Sequence, residues 1–280
     1  MGYHIIMDSV GDRTEELLAM DNFSVVPLKI IIDDEEFVDN DQLDQQMLIK
    51  KIAAAKECPK SACASPAEYQ ALYEKYKDDR IYVISASSEL TGSYNSAKLG
   101  EKLFLEEFPN SEIMVFDSKS ACAGQPLLAY KIIEFEKAHS DLKAVTKKLE
   151  EFIKEQEIIF VLEDITFLQK NGRLTGIKSL LATALNIVPI LSADKNGVIN
   201  QMGKARGIKK ALKKLMESII ENLEKTPKDM LVISHCACVE RAEDIKKELI
   251  MLFPSLDIKI VNTGGIATLY AGDRGIVVSY

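Results

Sequence analysis

The chain has 280 residues, 47% hydrophobic and 28% charged, with 35 basic against 43 acidic side chains and a formal net charge of −8 at pH 7. That excludes a disulfide-stapled mini-protein and a disordered chain, and an acidic balance argues against a nucleic-acid partner, whose phosphates call for basic patches. No apolar run approaches the roughly 20 residues that span a bilayer, so no integral membrane segment is expected.

The opening Met1-Gly-Tyr-His-Ile-Ile-Met-Asp8 enters a strand-like run with none of the parts of a signal peptide, so the chain reads as cytoplasmic. Short apolar runs then alternate with helical patterns, the signature of an α/β protein with largely parallel strands. His4–Met7, Val25–Ile32, Ile81–Ser85, Ile113–Phe116 and Ile158–Leu162 read as buried strands. Leu142, Val145, Leu149, Phe152 and Ile153 recur at helix spacing behind Ser140 or Asp141 as cap. A second series follows, with strands at Ile187–Ser192, Leu231–Ser234, Ile258–Val261 and Ile276–Ser279 and helices near 206–225 and 239–252. Length predicts two domains, and polar Lys154-Glu-Gln-Glu157 puts the boundary near 157: an N-terminal α/β domain over 1–157 and a C-terminal one over 158–280.

Five cysteines propose no disulfide framework. One residue between Cys236 and Cys238, after His235, is not zinc-knuckle spacing, so reduced thiols and no metal are expected. Phosphate-cradling and dinucleotide Gly-rich loops do not occur, nor does a Gly-x-Ser-x-Gly elbow. Asp33-Asp-Glu-Glu36 reads as a solvated turn.

Chemistry concentrates in Ile81–Ala97, where a buried strand ends in Ser85, Ser87 and Ser88 and a helix starts near Thr91 or Gly92. Strand ends and helix N-termini suit a carboxylate or phosphate, while Ser87 or Ser88 would equally serve as a plain helix cap. In the second hydroxyl-rich loop, Pro59–Pro66, Ser65 forms a capping box with Glu68, which leaves Ser61 free to face a crevice. Lys204, Arg206, Lys209, Lys210, Lys213 and Lys214 crowd one short stretch with no acid among them. They read as a solvated helix face or as a dock for an acidic partner.

In this order, Ile5-Ile-Met-Asp-Ser9, Pro59-Lys-Ser61, Ser87-Ser-Glu-Leu-Thr-Gly-Ser-Tyr-Asn-Ser-Ala97, Asp117-Ser118, Phe167-Leu-Gln-Lys-Asn-Gly-Arg173, Val188-Pro-Ile-Leu191 and Lys204-Ala-Arg-Gly207 resemble the DegV family of bacterial fatty-acid-binding proteins. The resemblance implies a two-domain DegV-like (EDD) fold and a carrier without catalysis or cofactor of its own. It would bind one long-chain fatty acid and present it to a fatty acid kinase for phospholipid synthesis. Carried over by position, Ser61 and Ser88 hold the carboxylate, and Arg173 and Arg206 contribute to the head group or to the kinase-docking face. Tyr270-Ala-Gly-Asp-Arg274 stands where the family has His-x-Gly-Pro-Gly, so Tyr270 brings a phenol where an ionisable imidazole is usual. Ala62 and Cys63-Ala64 depart from the family's Ser and Gln-Pro. Burying about 14 methylenes at ~0.8 kcal/mol each would supply roughly 11 kcal/mol before entropic costs, leaving the hydroxyls only to fix the head group. The alternative is an enzyme or sensor that binds a small anion, a sugar phosphate or carboxylate, at the same serines; a third reading is a regulatory module docking through the Lys204–Lys214 helix.

Overall fold

The computed structural model describes residues 2–139, 141–174 and 186–280. The first part of the chain runs β1 (Tyr3–Asp8), α1 (Glu15–Leu18), β2 (Phe23–Val26), β3 (Lys29–Ile32), β4 (Glu35–Val38), α2 (Gln45–Ala54), β5 (Lys60–Ala62), α3 (Pro66–Lys75), β6 (Arg80–Ser85), α4 (Ser93–Glu107), β7 (Ile113–Asp117), α5 (Gly124–His139) and α6 (Leu142–Glu155). The second runs β8 (Ile158–Val161), α7 (Thr166–Lys170), β9 (Ile187–Ala193), β10 (Ile199–Arg206), α8 (Ile208–Lys225), β11 (Met230–His235), α9 (Val239–Leu252), β12 (Asp257–Asn262), α10 (Gly265–Ala271) and β13 (Ile276–Ser279).

Strands β2-β1-β6-β7 form a wholly parallel sheet. Its central strand β6 is buried at every position, as a strand covered on both faces must be, which is why it reads as an unbroken apolar run. Helix α5 lies between this sheet and the second. Its Leu128 and Ile132 pack with Ile5, Tyr82 and Phe116, while Leu127 packs with Phe160, Val232 and Val277.

The second sheet, β10-β9-β8-β13-β11-β12, departs from the parallel expectation: only β11 and β12 run parallel, and the other neighbours are antiparallel. The tight turn between β9 and β10 is too short for anything but a hairpin. Periodicity missed β10 because it is a polar edge strand, buried only at Ile199 and Ala205. The helix expected from 206 starts at Ile208, since Arg206 still pairs with Ile187 and Gly207, at φ +83°, makes the break.

Two further corrections concern the small antiparallel sheet β4-β3-β5. The single strand expected over Val25–Ile32 is two strands in different sheets, because Pro27 has no amide to offer and Leu28 N donates to Ser9 Oγ (2.9 Å) instead. The acidic turn keeps only Asp33 and Asp34; Glu35 and Glu36 belong to β4. Capping followed the sequence. Ser65 Oγ accepts from Glu68 N (3.3 Å) while Glu68 Oε2 accepts from Ser65 N (2.7 Å), and Asp141 accepts from Lys143 N and Ala144 N. Ser140, the other cap considered, lies outside the described residues. Among the described residues no helix is long and apolar enough to cross a membrane.

Candidate functional site

Three segments distant in sequence converge on Tyr270. Strand β5 presents Ser61, whose Oγ lies 2.8 Å from the Tyr270 hydroxyl. The turn after α7 brings the Arg173 guanidinium over the Tyr270 ring, 5.3 Å from its centre. Arg173 Nε donates to Leu90 O (3.1 Å), which ties the loop after β6 to the same place. Asn171 Nδ2 donates to Pro59 O and to Phe167 O (both 3.0 Å), clamping α7 to the loop that carries Ser61.

Tyr270 is set by the anchorage of α10. The buried Asp39 carboxylate accepts from Gly265 N (2.8 Å) and Ile266 N (2.9 Å), and Arg13 pairs with it at 3.1 Å. Gly264 N donates to Asp12 Oδ1 (2.8 Å). Negative groups on the free amides of a helix start are favourable. Burial lifts the Asp12 carboxyl to about 7, against the pull of the Gly264 amide and the Arg13 guanidinium. Among the described residues its second oxygen makes no hydrogen bond of good geometry, although the buried Ser234 hydroxyl beside it also pulls the carboxyl down. Asp8, at the end of β1, is also fully buried, and burial raises its carboxyl although Val10 N, Ser85 Oγ, Ala86 N and Gln125 Nε2 all donate to it.

From this polar cluster a cavity runs between the sheets, with about 790 Å³ of empty space, its mouth included. Its walls are Val10, Leu28, Ile158, Phe160, Leu162, Leu168, Ala193, Ile199, Ile266 and Val277, with Ser61, Thr91, Lys119, Ser120, Cys122, Arg173 and Tyr270 the polar or sulfur-bearing groups. Lys119 is neutralised by Asp117 (2.7 Å), and burial pushes the Cys122 thiol well up, away from thiolate chemistry. No histidine lines the cavity among the described residues. His4 bonds Ser24, and His235 Nδ1 accepts from Cys238 N. The wall is thus an apolar sleeve that carries a few hydroxyls and a guanidinium.

The structure therefore brings together Ser61, Arg173 and Tyr270 of the residues expected from sequence. Ser88 is half-buried outside the lining; its amide donates to Asp117 Oδ1 (3.2 Å) and its hydroxyl has no bond among the described residues. Thr91, in the same loop, is in the wall instead. Neither Ser87 nor Ser88 caps α4, whose N-cap is Gly92 without a side-chain bond. Arg206 is exposed on β10 and takes no part in the cavity. Thr91, Ser120 and Cys122 were not legible as site residues, because nothing in a sequence says which side chain of a loop points inward.

The sequence model of the DegV family, described as an uncharacterised protein family, matches residues 3–280. A DegV domain-containing protein of Streptococcus gordonii is 32% identical over 285 aligned positions, covering 100% of this chain and 99% of the relative. A DegV family protein from Ruminococcus gnavus, solved with vaccenic acid, is 43% identical with a TM-score of 0.92, and 99% of each chain is covered. The fatty acid kinase (Fak) B3 protein of Streptococcus pneumoniae, loaded with linoleic acid, is 30% identical with a TM-score of 0.91, covering 100% of this chain and 99% of that one. With a cavity of this form inside a fold matched from end to end, the chain belongs to the DegV family.

Proposed function

We propose that this protein binds one long-chain fatty acid, the tail in the apolar sleeve and the carboxylate at Ser61, Tyr270 and Arg173. The carrying observation is the cavity itself: apolar walls that lead to a cluster of hydroxyls and to Arg173, a cation with no carboxylate on it among the described residues. A small anion needs the cluster but has no use for the walls, so the sugar-phosphate alternative leaves most of the cavity unexplained. Ser61 and Thr91 supply hydroxyls to the head group, with Ser88 the outer hydroxyl of the same loop. The relatives solved with vaccenic and linoleic acids support the ligand class.

The kinship with a fatty acid kinase B protein supports a carrier in the cytoplasm that presents its acyl cargo to a kinase subunit and has no chemistry of its own. Arg206 and the exposed lysines near it are the proposed partner face. The two parts of the chain, 1–157 and 158–280, serve as head-group domain and as the other wall of the acyl pocket.

Mild extraction of the purified protein and mass spectrometry of what it releases tests this reading, with added oleate as thermal ligand. Recovery of a fatty acid, or stabilisation of about 2.7 kcal/mol at a hundredfold excess over Kd, is expected. No acyl chain and no stabilisation would overturn it.

A further inference from the structure

Ser61 and Arg173 reach the head-group cluster from different parts of the chain, so their spacing depends on what joins those parts. Ser61 stands on β5, a three-residue strand that pairs only with β3. Arg173 lies just past α7, in the part of the chain that builds the second sheet. Among the described residues, two hydrogen-bonded links join residues 58–62 to α7 and α10. One is the bond between Ser61 and Tyr270 (2.8 Å), which a carboxylate would replace. The other is made by Asn171, which is half-buried and outside the cavity lining, so a ligand leaves its bonds in place.

Both hydrogens of the Asn171 amide are taken. Nδ2 faces Pro59 O and Phe167 O, both at 3.0 Å, with the Cys58 sulfur a weaker acceptor at 3.5 Å. Phe167 O also accepts from the Asn171 backbone N (3.0 Å), so the side chain is folded onto the end of its own helix. Pro59 is buried, lies two residues before Ser61 and has its φ set by the ring. A bond to its carbonyl therefore fixes where β5 begins. The Asn171 carbonyl acts on the other side, accepting from Arg173 Nη1. Gly172, at φ +74°, makes the turn that returns the guanidinium to that carbonyl. Arg173 Nε then donates to Leu90 O (3.1 Å), one residue from Thr91. Asn171 thus holds the hydroxyl strand through its amide and the cation through its carbonyl.

We infer that Asn171 is a positioning residue for the head-group site: it keeps Ser61 and Arg173 at one spacing after the Ser61–Tyr270 bond is given up to a carboxylate. It acts through Pro59 and Arg173, not by lining the cavity. The spacing matters for an anion, whose charge-assisted bonds are strong only when guanidinium and hydroxyl reach it together. An uncharged head group gains little from Arg173 and is indifferent to it. The inference rests on the fatty-acid reading.

The test compares oleate with oleyl alcohol, which has the same tail and no charge, by equilibrium titration of the full chain. Asn171→Ala removes two hydrogen bonds, so oleate affinity should fall about tenfold while oleyl alcohol stays within about twofold. A merely structural role would cost both ligands alike. Asn171→Leu keeps the branched shape and removes the donors, and it serves for the same comparison should Asn171→Ala fold poorly. Because Asn171 acts on Ser61, the two residues should also be coupled. Asn171→Ala with Ser61→Ala should lose at least about threefold less oleate affinity than the product of the single losses. Equal losses for the two ligands, or single losses that multiply, overturn the role of Asn171. A wild-type chain that binds neither ligand overturns the fatty-acid reading and the positioning role with it.

Discussion

At the scale of single residues, the head group divides a few hydroxyls by where they point. Ser61 and Tyr270 already bond each other, so a carboxylate would replace a bond between them rather than fill two unmet needs. Ser61→Ala with Tyr270→Phe is expected to weaken oleate binding about tenfold, by equilibrium titration, because apolar burial in the sleeve persists. Thr91→Val should cost more affinity than Ser88→Ala, since only Thr91 is in the wall; equal losses would return Ser88 to the site. Asp12 gives a pH signature. Its carboxyl is raised by burial to about 7, so between its ordinary range and 7 the folded chain holds a proton that the unfolded chain has lost. Stability from this group is therefore full below about pH 4 and lost as pH rises through 7. Asp12→Asn should gain on the wild type from pH 5 to pH 8 in urea melts, by at most about 3 kcal/mol. Parallel profiles would show that Asp12 does not titrate in that window.

At the scale of elements, α10 shows how packing far from the cavity sets a side chain inside it. Asp39 holds the first amides of this short helix and the Arg13 guanidinium together. Asp39→Ala leaves those buried donors unmet and should destabilise the protein by about 3 kcal/mol in chemical denaturation. It should also weaken fatty-acid binding, because Tyr270 rides on the same helix. Local rules served well where elements are governed locally. The Ser65–Glu68 box, the Asp141 cap and the amphipathic α9 stand where pattern placed them, and α8 does so from Ile208 onward. They failed at β4, β5 and β10, which are short or half-polar strands whose existence depends on a neighbour to pair with.

At the scale of the molecule, one surface of distinct character stands apart from the cavity. Lys204, Arg206, Lys209, Lys210, Lys213 and Lys214 are exposed together on β10 and the first turns of α8, in a chain whose net charge is −8. Arg206→Glu with Lys210→Glu should leave oleate affinity unchanged and abolish acyl-phosphate formation when a fatty acid kinase subunit and ATP are added. Retained turnover would free this face from the partner role. The sequence by itself determined the α/β class, the order of most buried strands, the caps and the ordered motifs that resemble the DegV family, because burial on both faces and helix capping leave marks in neighbouring residues. Only the tertiary structure decided that the second sheet is mostly antiparallel, that Thr91 rather than Ser88 lines the wall, that Arg206 stands apart from the head group, and that Asn171 reaches back to Pro59. Those outcomes depend on which segments far apart in the chain meet, and on the direction each side chain takes when they do. A part of the large apolar fraction accordingly lines a sleeve instead of filling a solid core.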